Sequence, residues 1–209
     1  AYSQKDPVEK QKPNRNLFAL VPTSNTAQGS FRIRQGESIT NEISIDTSAN
    51  DLKDYLSALP LQNISTSTRN GLWLIEYNSE TRDELFVNDD HVQGGSVHIH
   101  PVLSILITVE RSEIDGDIIV DFGSEATSFS AVNDSGEDLK QILLKLNGLN
   151  RLDVLDTGNV INSGDSLHRE ILIIVKGSSL DLRNFKAEAT SNLKGIGVKV
   201  LSLTPFQED

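Results

Sequence analysis

Cysteine is absent from this chain of 209 residues. That excludes a disulfide framework, a thiolate nucleophile and a zinc knuckle. It leaves the redox compartment open, because a unit of ~90 residues can bury a sufficient core unaided. Methionine is absent as well, and a chain opening "AYSQKD" reads as a processed product or as a piece of something longer. Aromatic residues are scarce, at 5%, with Trp73 the single tryptophan. No run of ~18 apolar residues occurs, so no membrane-spanning helix is expected. The longest apolar run, "PVLSILITV" at 101 to 109, has the length and β-branched content of a strand. Clusters of Lys and Arg are missing too. With 30 acidic against 19 basic residues and a net charge of −11, the balance argues against nucleic acid, which needs grouped cations to neutralise phosphate. It suits cations, basic partner surfaces or simple solubility.

What is present is a repeat. "ANDLKDYLSALPL" at 49 to 61 and "GEDLKQILLKLNG" at 136 to 148 are both amphipathic stretches around an Asp-Leu-Lys core. The offset of 87 residues that lays Asp51 on Asp138 holds without gaps over 29 to 62. It gives nine identities in 34 columns, where composition alone gives about two. The identities include Gly29/Gly116, Gly36/Gly123, Ser48/Ser135, Leu56/Leu143 and Leu59/Leu146, and Ile45 meets Val132. Beyond the helix the register slips by 11, to an offset of 98. "LWLIEY" (72 to 77) then lies over "EILIIV" (170 to 175), and "VLSI" (102 to 105) over "VLSL" (200 to 203). The extra loop is placed at "DTGNVINSGDS", 156 to 166, whose Gly, Asn, Asp and Ser content is that of turns. "LFALVPT" at 17 to 23 precedes the first unit much as "SILITVE" at 104 to 110 precedes the second.

Each unit reads as strand, Gly turn, strand, helix and further strands. In the first, "SFRIRQG" (30 to 36) and "NEISID" (41 to 46) form a hairpin. Ser48 caps a helix over 49 to 59, Asp51 favours its first turn, and Pro60 stops it. Leu52, Tyr55, Leu56 and Leu59 form one apolar stripe. Strands near 63 to 68 and 71 to 77, an acidic polar loop over 78 to 95, and a strand over 97 to 109 complete it. The second unit repeats this with Ser135 as cap, a stripe of Leu139, Ile142, Leu143 and Leu146, and an Asn147-Gly148 end. The expected class is α+β and β-rich. It comprises two tandem homologous modules, each a mainly antiparallel sheet covered by one helix. The boundaries are a flexible leader over 1–16, a first module over 17–110 and a second over 111–209.

The stretches "GSFRIRQGESIT", "SANDLKDYLSALPL" and "NGLWLIEY" resemble the repeated module found between IPT/TIG domains of very large eukaryotic cell-surface proteins of the fibrocystin-like kind. The positions that carry the resemblance are Gly29, Phe31, Gly36, Ser48, Ala49, Leu52, Leu56, Leu59, Pro60 and Trp73. The second unit departs from the pattern at Ile118, Gly136, Asn147 and Ile171. The resemblance implies an extracellular, non-enzymatic repeat with no catalytic residues.

Candidate sites each have a plainer reading beside them. His98 and His100 project from one face of a strand, the spacing of a two-histidine metal site, with Asp89, Asp90 or His91 as a third ligand. The plainer reading is a tolerant strand face, since the second unit has Ile196 and Val198 in those columns. Asp156, Asn159, Asn162 and Asp165 offer oxygen ligands suited to calcium, but without the spacing of an EF-hand loop. A plain surface loop is the favoured reading of them. The sequons Asn63-Ile64-Ser65 and Asn133-Asp134-Ser135 are glycosylation candidates. No G-x-S-x-G elbow, P-loop or dinucleotide loop occurs, so an enzyme is not expected.

The sequence therefore predicts a non-enzymatic tandem-repeat segment of an extracellular or cell-surface protein. It would act as spacer and protein-interaction surface, with adjacent repeats as partners, no nucleic acid and no membrane insertion. No cofactor is expected. A calcium- or carbohydrate-binding module is the alternative, and a periplasmic or intracellular assembly scaffold a further one. The stiff joint between units is expected in "HPVLSILITVERSEIDGD", and Trp73 and Tyr77, flanking Ile75 on one strand face, are expected in the core.

Overall fold

The computed structural model describes residues 14–79, 84–109, 116–157, 160–162, 166–191 and 199–203. These residues form antiparallel strands and two short helices. The first half contains β1 (Asn14–Pro22), β2 (Gln28–Gln35), β3 (Ser38–Ile39), β4 (Ile43–Ser44), α1 (Ala49–Leu56), β5 (Gln62–Arg69), β6 (Leu72–Ser79) and β7 (Leu85–Gln93). The long strand β8 (Val97–Val109) follows. The second half contains β9 (Asp117–Asp121), β10 (Ala126–Ser130), α2 (Gly136–Leu143), β11 (Leu149–Asp156), β12 (Val160–Asn162), β13 (Ser166–Ser178), β14 (Lys186–Ala189) and β15 (Lys199–Leu203). Among the described residues, no helix is long and apolar enough to cross a membrane.

The helices form for the reasons their sequences suggest. The hydroxyls of Ser48 and Ser135 accept from the backbone N–H groups of Asp51 and Asp138, satisfying donors that the first turn leaves without a partner. Asp138 also reaches back to the Ser135 N–H at 2.9 Å, a reciprocal capping box. Leu52, Leu56 and Leu59 are buried, as are Leu139, Leu143 and Leu146, while Tyr55 and Ile142 are half-buried. The expectation that Pro60 stops the first helix is corrected. Both helices end at the same column, Leu56 and Leu143, although the second lacks the proline. What the two share is a leucine three residues on, turned into the core.

The strand order of the halves corresponds. One large sheet runs β11-β13-β8-β1-β6-β5, with β15 also on β8. Read by halves, β5-β6-β1-β8 in the first has its counterpart in β11-β13-β8-β15. Two small sheets match likewise, with β4-β2-β7 beside β10-β9-β14. A shared hydrogen bond fixes the columns. Ile45 N–H donates to Gly29 O and Ala131 N–H to Gly116 O, both at 3.0 Å. By this bond Ile45 corresponds to Ala131 and not to Val132, because the second half holds one more residue between that position and its cap.

Strand β8 belongs to both halves. Its residues Val97 to Pro101 pair with β1, and Val102 to Val109 pair with β13. Side chains on one face divide accordingly. Val97 and Ile99 lie with Phe31, Leu52, Leu56 and Trp73 in one core. Leu103, Ile105, Ile107 and Val109 lie with Ile118, Leu139, Leu143 and Ile171 in another. The two cores divide around Pro101, within the strand.

The region 78 to 95, expected as an acidic loop, is largely β-structure. β6 runs on to Ser79 and β7 pairs with β2. Leu85 is buried beneath β7, and its outward acidic and polar side chains are those of an edge strand. Of the expected leader, residues 14–16 already pair with β6, and residues 1–13 lie outside the described set.

Candidate functional site

The face of the large sheet opposite the two cores holds a third one, built from both halves. Ala19, Leu72 and Leu74 come from the first half, and Val102, Leu172 and Ile174 from β8 and the second. Leu17, Val21 and Leu155 pack around them. Strands β6, β8 and β13 are therefore apolar on both faces, which explains their continuous hydrophobic runs. Beside this core, Arg69 at the end of β5 donates to Glu170 on β13 at 2.8 Å. The contact ties the two halves together. The joint consists of a shared strand, a buried apolar interface and this ion pair.

His98 and His100 sit on the same face, next to the third core. Their rings stack at 6.0 Å between centroids, with planes 3° apart. Burial, and then the charges of His98, Lys176 and Arg151, hold His100 below the ordinary histidine value. His91 is apart from them and contacts Glu42 at 2.9 Å. Among the described residues, no three His, Cys, Asp or Glu side chains gather closely enough to hold a metal. The pairings correct the columns assigned from sequence. Val21 faces His98 as Thr108 faces Lys199, and Ala19 faces His100 as Leu106 faces Leu201. The counterparts of the two histidines are Lys199 and Leu201, not Ile196 and Val198, and "VLSL" does not lie over "VLSI".

Of the calcium candidates, Asn159 and Asp165 lie outside the described residues. The backbone of Asn162 pairs with Ser166 in the β12–β13 hairpin. Asp156 has another role, which sequence reasoning missed. Its carboxylate takes two hydrogen bonds from Arg169, from Nη2 at 2.6 Å and Nε at 3.2 Å. Arg169 is 1% exposed. It also donates to Ala131 O at 2.8 Å and Asp134 O at 2.5 Å, and its guanidinium lies 5.9 Å from the Phe129 ring centre. A charge this deep is tolerated only when paired and hydrogen-bonded.

Register explains its place. Leu20 pairs with Trp73 as Ile107 pairs with Arg169. The counterpart of Trp73 is therefore Arg169, not Ile171, and Ile171 instead matches Ile75. Trp73, Ile75 and Tyr77 all lie in the first core. The available signal was an arginine next to the apolar run "ILIIV".

The glycosylation candidates are both exposed. Asn63 has φ 51° and lies where the β5–β6 register shifts, and Asn133 follows β10. An open hollow beside α1 is lined by Asn41, Asp51, Asp54, Tyr55, Ser57 and Ala58. No family model matches the chain, and no curated protein matches it.

Proposed function

We propose that this chain is a pair of homologous tandem modules from an extracellular or cell-surface protein. In this reading it is non-enzymatic and acts as a structural spacer and protein-interaction surface. The observation that carries the proposal is the dual role of β8, which pairs with β1 of the first half and with β13 of the second within one sheet. A connection made by a continuous strand has no loose linker in which to bend. The third core and the Arg69–Glu170 pair oppose rotation about it. The recurring strand order and the matched Gly29 and Gly116 bonds support a duplicated ancestral unit. The likeness of the first unit to fibrocystin-type repeats supports the cell-surface setting.

The mechanism is geometric: each module contacts its neighbour, and the shared strand sets the angle between them. The cysteine-free chain makes the test direct. Spin labels at Asp54→Cys and Gln141→Cys, both exposed positions on the two helices, should give one narrow distance distribution. A broad distribution would remove the spacer role. Mass spectrometry of native material should find glycan on Asn63 or Asn133, and unmodified sequons there would count against the extracellular setting.

A further inference from the structure

The surroundings of the His98–His100 pair suit an anion better than a metal. Both rings lie on the far face of β8, which continues onto β13 and β11. Ile174 pairs with Val102 on β8 and with Asp153 on β11. Lys176, two residues further along β13, carries the same face towards His100. Between the Val175–Leu152 and Gly177–Arg151 pairs, β13 holds one residue more than β11, and that residue is Lys176. Such bulges re-aim side chains and are over-represented next to functional sites.

Positive charge is in excess at this end of the sheet. Lys176 and Lys140 both reach Asp153, at 2.5 and 3.1 Å. One carboxylate thus answers two ammonium groups, and Arg151 forms no ion pair among the described residues. His98, Lys176 and Arg151 all act on His100 as positive charges, and Asp153 is the one carboxylate that acts on it. On the other side β1 offers only Val21 and Ala19, which face His98 and His100. Near the start of β8, the carboxylate of Asp89 is taken up by the Val97 N–H at 3.0 Å. This excess stands out in a chain with a net charge of −11. A metal ion between the imidazoles would be repelled by Lys176 and Arg151. An oxyanion would instead meet N–H donors from guanidinium, ammonium and imidazole.

We propose that His98, His100, Arg151 and Lys176 form a binding site for a sulfate or phosphate group. Arg151 supplies a planar fork of donors that matches two oxygens of such a group. Lys176 can turn from Asp153 to the ligand, because Lys140 remains with the carboxylate. The site strengthens when His100 takes up a proton, and by linkage a bound oxyanion raises the affinity of His100 for that proton. It is open to solvent and partly neutralised by Asp153, so a single oxyanion binds with a Kd of ~1–10 mM. The inference rests on this side-chain cluster and not on the spacer role. Its failure would leave the spin-label result, and the reading drawn from it, untouched.

The test is NMR of the histidine ring C–H signals in the whole chain. Sodium sulfate is titrated against sodium chloride at equal ionic strength, at pH ~7.5 and ~5.5, on either side of the ordinary histidine value. Sulfate keeps its charge over this range, whereas phosphate loses part of its own below pH ~6. Sulfate therefore isolates the contribution of the protein. It should shift the His98 and His100 signals to saturation where chloride does not, and bind at least ~3-fold more tightly at the lower pH. Phosphate at pH ~7.5 should move the same two signals, and the tighter binder of the two names the group the site takes. Arg151 is exposed, so Arg151→Gln should leave the melting temperature unchanged while weakening sulfate binding at least ~5-fold. His100→Gln should remove the pH dependence of binding. Shifts that chloride reproduces, equal sulfate affinity at the two pH values, or an Arg151→Gln chain that binds like the native one would each overturn the proposal.

Discussion

The indole nitrogen of Trp73 donates to Thr47 O at 2.9 Å, and the guanidinium of Arg169 donates to Asp134 O at 2.5 Å. In each half the acceptor is the carbonyl just before the serine that caps the helix. Two different side chains thus meet one requirement, a buried donor beside the start of the helix. Tryptophan meets it with a large apolar ring that packs against Phe31 at 5.9 Å between centroids. Arginine brings a charge and therefore needs Asp156.

That dependence predicts a coupled pair. Arg169→Ala removes the buried guanidinium and its hydrogen bonds to Asp156, Ala131 O and Asp134 O, and should destabilise the fold by ~3–5 kcal/mol. Arg169→Trp alone should also destabilise it, for the same reason. Adding Asp156→Thr gives the second half the Trp73 and Thr66 chemistry of the first, where Thr66 bonds Ala49 O at 2.7 Å. The double variant should recover at least ~1 kcal/mol of that loss. Urea unfolding of the four chains measures the coupling, and additive effects would show that the two residues act independently.

The third core should matter more to the joint than the ion pair beside it. Ile174 is fully buried in it, so Ile174→Ala should cost ~2–5 kcal/mol. It should also broaden the spin-label distances between the helices. Arg69 and Glu170 are each about one-third exposed, and Arg69→Ala should cost less than ~1 kcal/mol. Denaturation and distance measurements on the same two variants would check both statements.

Two glycines should respond differently to alanine. Gly29 has φ +104°, and a Cβ there would lie 2.2 Å from the main-chain oxygen of His91. No rotamer change relieves that contact, so Gly29→Ala should cost ~3 kcal/mol or more and disturb the β2–β7 pairing. Gly71 has φ +76° but open space around its Cβ direction. Gly71→Ala should cost only the backbone term, ~1–2 kcal/mol. Thermal melts of both would separate strain from steric conflict.

Stability should fall as the solution is acidified below pH ~6.5. His100 is held below 6.5 in the folded chain, first by burial and then by nearby positive charge, with Asp153 opposing. As pH drops through 6.5, the unfolded chain takes up this proton before the folded one does, and the equilibrium shifts towards unfolding. The penalty grows until the pH reaches the folded value. Replacing His100 with Gln should flatten the dependence between pH ~7.5 and ~5.5, read from urea midpoints. An unchanged slope would assign the effect elsewhere.

The elements with local causes are legible in the amino-acid sequence. Ser48 and Ser135 as caps, the leucine stripes and the thirteen-residue strand β8 follow from side-chain chemistry within a few residues of each position. The counterpart of Trp73 is not legible in the same way. "LWLIEY" can be laid on "EILIIV" at several offsets, because apolar residues substitute for one another and identity carries little information there. Cross-strand hydrogen bonds choose the offset, and they place Arg169 under Trp73. The same holds for His98 and His100, whose counterparts depend on how β15 pairs with β8. Nothing near Asp156 in the chain reveals its pairing with a buried arginine 13 residues later.

By itself the sequence determined the two short helices, their caps, the repeat between 29 and 62, and the strand-forming run that became β8. These depend on local geometry and on composition, which a chain carries whether or not it is folded. Only the tertiary structure decided that β8 pairs with strands of both halves, that its far face joins them in a third core, and that Asp156 answers Arg169. Such pairings bring together residues far apart in the chain. Burial of shared apolar surface and the need to satisfy buried polar groups act only once the strands are side by side.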